Sequence, residues 1–155
     1  MKKIIIISCT VYIIFASFST FANIEKGKWN FVKGDDFCYI GSYPISIKMP
    51  EGKKRGDVYI LVYRINKNSE KIIQISAGYN YKEGETVKVK IDKKNYDFYS
   101  VDDSAWTEDD KKIIYAMKKG VELTVTGTSS RGTKTIDSYT LKGFTVAFNS
   151  LSKDC

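Results

Sequence analysis

The sequence predicts an all-β fold: an antiparallel β-sandwich of about eight strands, with one short α-helix inserted near residues 107–119. Apolar and polar residues alternate over most of the chain, turn residues recur at short intervals, and a helical period replaces the alternation in that segment. A small closed barrel is the alternative arrangement of the same strands. The composition agrees with a folded protein, because 43% of the residues are hydrophobic and 28% are charged.

The first 22 residues are typical of a secretory signal peptide. Two lysines precede an apolar stretch, residues 4–18, and Ala22 and Asn23 flank the expected cleavage site. A transmembrane anchor is the alternative, although the stretch is short for a span. A lipoprotein signal is a weaker alternative, because Cys9 lies too early. We therefore expect a single domain of residues 23–155 that is located in the periplasm or secreted.

The strands differ in the strength of their patterns. Segments 28–33 and 37–46 come first, and Pro44 weakens the second so that it suits an edge or a bend. Segment 57–65 has the strongest pattern, and it is apolar on both faces. One face consists of Val58, Ile60 and Val62, and the other of Tyr59, Leu61 and Tyr63. The remaining predicted strands are separated by polar or glycine-containing turns or by the helix: 72–79, 87–91, 96–101, 121–126 and 135–141.

The helix is predicted over residues 107–120, where the spacing of apolar residues changes. Thr107 is expected to cap it, three acids follow in the positively polarised first turn, and Gly120 fits the position after the last turn. Beyond Gly143 the sequence permits either a short helix or an extended tail. The buried side of the predicted helix consists of Ile113, Ile114 and Met117.

Two cysteines remain after removal of the leader, Cys38 and Cys155. An even count in an exported protein predicts a disulfide, which here would join residue 155 to the second strand. Two free thiols or an intermolecular bridge are the alternatives.

Several segments resemble the invasion-associated locus B family of exported bacterial proteins. They occur in order along nearly all of residues 23–155, and the last long run is the most specific. The matching segments are FCYI (37–40), RGDVY (55–59), SAGYNYKEG (76–84), SAWTEDD (104–110), AMKKGVELTVTGTSSRGTKTIDSYTLKGF (116–144) and the final Cys155.

This resemblance implies an immunoglobulin-like β-sandwich, export to the periplasm or beyond, and pairing of the two cysteines. In some pathogens the family is associated with entry into host cells. That association specifies no molecular activity, and no set of catalytic residues carries over to this chain.

The sequence contains no histidine, which excludes Ser-His-Asp and Cys-His catalysis and imidazole metal sites. Ser129 or Ser130 with Lys134 could form a nucleophile and base, but an exposed hairpin turn would not lower the lysine pKa. The three acids 108–110 are explained by the helix N-terminus better than by a cation site. We therefore expect a protein that is not an enzyme and has no metal or cofactor.

Two surfaces are candidates for partner binding. Ser129, Ser130 and Arg131 form the tip of a turn whose guanidinium suits a carboxylate or phosphate; a solvated turn tip is the alternative. A set of tyrosines suggests an aromatic face for a peptide or glycan, with Tyr59 and Tyr63 as the first candidates; an ordinary outer sheet face is the alternative. The full set is Tyr59, Tyr63, Tyr79, Tyr81, Tyr96 and Tyr99. Trp106 is expected to anchor the core rather than to bind a ligand.

The net charge of +7 favours an acidic partner, and we expect an unknown protein or glycan of the bacterial envelope or host surface. Nucleic acid is not expected, and membrane association would be peripheral.

The leading hypothesis is an exported non-catalytic binding protein. An envelope-acting enzyme or enzyme inhibitor is the alternative, and a chaperone that pairs its strand edge with clients is a third possibility.

Overall fold

A computed structural model describes residues 25–35, 37–65 and 69–155. The predicted leader and its Ala22–Asn23 cleavage site lie outside the described residues. Within these ranges the chain forms ten strands and two helices. In chain order they are β1 (Asn30–Lys33), β2 (Cys38–Ser42), β3 (Ser46–Lys48), β4 (Tyr59–Arg64), β5 (Ile72–Ser76), β6 (Val87–Ile91), β7 (Lys94–Val101), β8 (Ser104–Trp106), α1 (Asp110–Lys119), β9 (Glu122–Thr128), β10 (Lys134–Thr140) and α2 (Phe144–Lys153).

The strands form one antiparallel sheet in the order β1-β2-β4-β5-β8-β7-β6-β9-β10-β3. The all-β class is confirmed, but the eight-stranded immunoglobulin-like sandwich is not. The reason lies in β7, whose first part pairs with β6 and whose last part pairs with β8. Because this strand is shared, the two halves of the fold are continuous rather than two separate sheets.

The sheet curls into a half-barrel at the turn between β2 and β3. These strands lie near opposite ends of the sheet order, yet only residues 43–45 connect them. Pro44 lies at this bend, and the next residue, Ile45, donates its N–H to Ser138 O at 2.8 Å. The segment predicted as one strand over 37–46 is therefore broken at its proline, because proline has no N–H to give to a ladder.

The two helices complete the core. Beyond Gly143 the chain forms a helix, α2, rather than an extended tail. This helix packs against β1, β2 and α1. Trp29 is buried beneath α2, where its indole N–H donates to Thr140 O at 2.8 Å and its ring meets the Phe144 ring edge-on. Trp106, expected to be an anchor, is only half-buried at the end of β8. The tryptophan in the core is therefore Trp29.

Helix α1 follows the prediction in its position and its buried side, but its ends differ. Asp109, rather than Thr107, is the cap, and its carboxylate accepts from the N–H of Lys112 at 3.0 Å. Gly120 follows the last turn with an extended φ of −82°, so no left-handed backbone requires a glycine there. A Cβ at this position would lie 2.7 Å from Ile91 and 2.8 Å from Leu141, so Gly120 is required by close packing.

Strand β8 is an element that the sequence did not indicate. It follows β7 through a turn at residues 102–103, in which Asp102 has a φ of +53°. Hairpin turns with positive φ usually contain glycine or asparagine, and this one contains two aspartates. The turn therefore lacks its common sequence signal, and three residues are too few to show a clear alternation.

The predicted disulfide joins Cys38 of β2 to Cys155, just beyond α2, with a Cα–Cα distance of 5.9 Å. The bond links residues separated by 117 positions and lies at the edge of the apolar core.

Neither helix among the described residues has the length and apolar character needed to cross a membrane.

Candidate functional site

A buried ion pair connects the loop before β4 to the middle of β10. Both guanidinium nitrogens Nη1 and Nη2 of Arg55 donate to the two carboxylate oxygens of Asp137, and the Nη1–Oδ2 distance is 2.9 Å. Nη1 also donates to Ala77 O at 3.2 Å. The two side chains are only 6% and 3% exposed. This two-pronged geometry is the strongest form of a charge-assisted hydrogen bond, and it fixes the loop to the sheet.

Three tyrosines surround this ion pair and form a tyrosine cluster of Tyr79, Tyr81 and Tyr139. The Tyr79 hydroxyl shares a 2.7 Å hydrogen bond with the hydroxyl of Thr135, and the Arg55 guanidinium carbon lies 5.8 Å from the Tyr79 ring centre. Burial raises the pKa of all three phenols, so they stay protonated and neutral. Two of their hydroxyls, on Tyr81 and Tyr139, have no hydrogen-bond partner among the described residues.

Two glycines allow the surrounding segments to approach each other. Gly56 donates its N–H to Gly78 O at 2.8 Å, and a Cβ on Gly78 would lie 2.4 Å from Gly56 O. Gly78 also has a φ of +69°, which other residues rarely adopt. This contact brings the lysines before Arg55 beside the segment that contains Tyr79.

The turn between β9 and β10 forms the opposite wall. The Ser129 hydroxyl accepts the N–H of Thr133 at 3.1 Å, and the Ser130 N–H donates to Asn80 O at 2.7 Å. Ser129 is buried, whereas Ser130 and Arg131 are exposed. Ser129 therefore stabilises the turn from within, and only Ser130 and Arg131 of the predicted tip are exposed.

A cleft of about 360 Å³, here called the basic cleft, lies between these walls. Lys53, Lys54 and Arg131 are exposed at it, and Arg55 lies at its buried side. Among the described residues that line it, none is acidic. The complete lining is Met49, Lys53, Lys54, Arg55, Tyr79, Asn80, Ser129, Ser130, Arg131, Thr133 and Thr135.

The second predicted surface lies elsewhere. Tyr63 contributes to a shallow apolar depression of about 240 Å³ with Phe37, Leu61 and Ile65. Tyr59 is half-buried on the same strand but lines neither this depression nor the basic cleft. The structure therefore brings Ser129, Ser130 and Arg131 together with Tyr79 of the predicted tyrosine set, whereas Tyr59 and Tyr63 lie outside the basic cleft.

Sequence reasoning missed Arg55 and Asp137. One signal was present: Asp137 occupies an inward position of an alternating strand, between Thr135 and Tyr139. A carboxylate on the buried side of a strand requires a cation, and the sequence contains three arginines. Three of the segments that carry the family resemblance, RGDVY, SAGYNYKEG and the TIDSYTL strand, meet at this ion pair.

Comparisons with known proteins support the family resemblance of these segments. The model of the family described as invasion associated locus B (IalB) protein matches residues 44–152. The crystal structure of invasion associated protein B from Bartonella henselae is similar in fold, with a TM-score of 0.56 and 17% identity over 81% of this chain and 92% of that chain. No curated protein matches the sequence. Because the family match extends over more than half of the sequence, the chain belongs to the invasion associated locus B family.

Proposed function

We propose that this protein is an exported, non-catalytic binding protein whose basic cleft holds an anionic group of a bacterial-envelope or host-surface component. The observation that carries the proposal is the charge of the cleft. Three exposed cations from two separate segments face it, and none of its described lining residues is acidic.

The charge at the cleft is available to a ligand. Asp137 compensates Arg55, whereas Lys53, Lys54 and Arg131 form no ion pair with any described residue. Lysine and arginine side chains with free heads attract anions and raise the rate of encounter with acidic partners. The overall charge acts in the same direction, because it is +7 for the full sequence and stays at +5 after loss of the two leader lysines.

Binding is favoured over catalysis by the way the reactive groups are used. Both oxygens of Asp137 accept from Arg55, and the hydroxyl of Ser129 accepts a backbone N–H. The phenols of the tyrosine cluster are held neutral by burial. Each group therefore has a structural partner or the wrong protonation state for attack on a substrate.

Export to the periplasm or to the exterior is part of the proposal. It is supported by the leader pattern of residues 1–22, by the Cys38–Cys155 bond and by membership of the family.

Photo-crosslinking in living cells tests the proposal. A photoreactive residue at Ser130 probes the basic cleft, one at Tyr63 probes the apolar depression, and one at Val121, which is 75% exposed, is the control. We expect Ser130 adducts that exceed those of Val121 and decline in high salt, because screening weakens contacts between exposed charges.

Equal adducts at Ser130 and Val121 would contradict the proposal, and adducts confined to Tyr63 would move the site to the depression. Turnover of the trapped component by the wild-type protein would favour the alternative of an envelope-acting enzyme.

A further inference from the structure

A row of exposed apolar side chains follows the free edge of the sheet. Ile45, Ile47 and Met49 are 41%, 49% and 36% exposed. Ile47 lies in β3, the last strand in the sheet order, and Ile45 and Met49 flank that strand at alternate positions of the chain. We call them the apolar edge row.

This row leads directly into the basic cleft, because Met49 belongs to both. Three exposed cations lie at the cleft beside the row: Lys53, Lys54 and Arg131. Apolar side chains next to lysines and arginines on one edge are the combination by which proteins lie on an anionic membrane surface.

We propose that this edge docks on an anionic lipid surface, with a headgroup phosphate in the basic cleft and the apolar edge row in the boundary between headgroups and acyl chains. This inference rests on the proposed function, since it identifies the anionic group that the cleft holds. Lysine supplies the long-range attraction, the Arg131 fork binds phosphate oxygens, and the row removes apolar surface from water.

The lipid surface explains more of the structure than a glycan or a protein does. An acidic glycan would use the cations and the polar side chains Asn80, Ser130 and Thr133, but it would leave the apolar edge row exposed. A peptide adding to β3 would meet a strand of three residues that contains Lys48 and lies between Pro44 and Pro50. Short edge strands with lysine and proline are poor templates for pairing, which also counts against the chaperone hypothesis.

Sedimentation with vesicles tests the inference on the purified protein. We expect binding to equimolar phosphatidylglycerol and phosphatidylcholine vesicles, and little binding to phosphatidylcholine alone. Ile47→Ser is expected to weaken binding about tenfold, because an apolar side chain that enters the interface is lost. Val121→Ser is the matched control, since it removes a still more exposed apolar residue away from this edge and should leave binding unchanged.

The contribution of charge is tested with two double variants. Lys53→Ala with Lys54→Ala is expected to weaken vesicle binding by about thirtyfold, at about 1 kcal/mol for each lysine near an anionic surface. Lys93→Ala with Lys94→Ala removes the same charge from the β6–β7 hairpin, away from this edge, and should have a much smaller effect. Equal losses in the two double variants would show attraction by net charge alone and would overturn the assignment of this edge.

Two further outcomes separate the inference from the proposed function. Glycerol 3-phosphate that binds as tightly as vesicles do, with no effect of Ile47→Ser, would show a free-phosphate site and overturn the lipid proposal. Absence of vesicle binding together with a protein or glycan adduct at Ser130 would overturn the lipid proposal and leave the proposed function standing. If neither vesicle binding nor a Ser130 adduct is observed, the lipid proposal and the proposed function are both overturned.

Discussion

Two regions of the protein join residues that are far apart in sequence, and they do so by different interactions. Beneath α2, a covalent bond between Cys38 and Cys155 accompanies apolar packing around Trp29 and Phe144. Behind the basic cleft, the Arg55–Asp137 ion pair likewise connects distant segments, but it does so with two buried charges.

The difference lies in what each region tolerates. An apolar core accepts changes that preserve volume, since its contacts are non-directional. A buried ion pair accepts almost none, because the loss of one partner leaves an unpaired charge away from water. The packing around Trp29 and Phe144 thus tolerates volume-preserving changes, whereas the region behind the cleft depends on the placement of a few atoms.

Removal of the disulfide should give the largest effect. In the chain-entropy view, a loop of 117 residues corresponds to about 4–5 kcal/mol of unfolding free energy. We expect Cys38→Ser with Cys155→Ser to lose about that much in guanidinium titrations. Wild-type protein treated with a reductant should unfold like the double variant. An unchanged midpoint would mean that the bond contributes little to stability.

Breaking the ion pair should cost nearly as much. Asp137→Ala leaves Arg55 buried without its carboxylate, and we expect a loss of about 3–5 kcal/mol in urea unfolding. The double variant Arg55→Met with Asp137→Leu should recover most of that loss, because it removes both charges and retains much of the volume. A double variant as unstable as the single one would show that the geometry of the pair is needed for the fold.

A methyl group added at Gly127 tests the packing of the tyrosine cluster. Its Cβ would lie 2.6 Å from the Tyr81 ring, so Gly127→Ala should cost about 1–3 kcal/mol and alter the near-ultraviolet circular dichroism.

Gly132→Ala is the comparison for this change. It meets no atom within 4 Å but has a φ of +81°, so it should cost about 1–2 kcal/mol of backbone strain without the spectral change. Identical spectra for the two variants would contradict the close packing around Tyr81.

The smallest expected effect on the free energy of unfolding concerns Asp110, a half-buried acid that has no cation as its partner among the described residues. Burial raises the pKa of Asp110, while the Ile73 N–H donates to its carboxylate and opposes the shift. The folded state therefore favours the protonated acid, and the cost of ionisation appears as the pH rises through the folded pKa. Asp110→Asn should gain about 0.5 kcal/mol at pH 7 and nothing at pH 3, after screening by solvent. A gain that persists at pH 3 would have another cause.

Most of the fold was accessible from the sequence, because alternation of apolar residues is a local signal. It located the segments of β4, β6, β9 and β10 and the buried side of α1. The signal failed where partners are distant: it could not show that β7 pairs on both sides of its length, or that β2 and β3 diverge at Pro44. Pairing between strands depends on residues far apart in sequence, which one strand's pattern does not contain.

The candidate site was accessible only in part. Ser130 and Arg131 were found because turns with exposed polar residues are recognisable locally. Lys53 and Lys54 were not identified as binding residues, since nothing in their segment indicates which turn it faces. The partner of Asp137 is 82 residues away, so the ion pair becomes visible only in three dimensions.

These separations have a consequence for the order in which the protein forms. A chain synthesised from its N-terminus presents Arg55 and Cys38 long before Asp137 and Cys155 exist, and β3 has no strand partner until β10 emerges. The β3–β10 pairing, the ion pair and the disulfide can therefore form only after the last third of the chain is made, and such long-range contacts are associated with slow folding. During that interval the apolar faces of the first strands lack part of their final cover, and exposed apolar surface of this kind promotes aggregation.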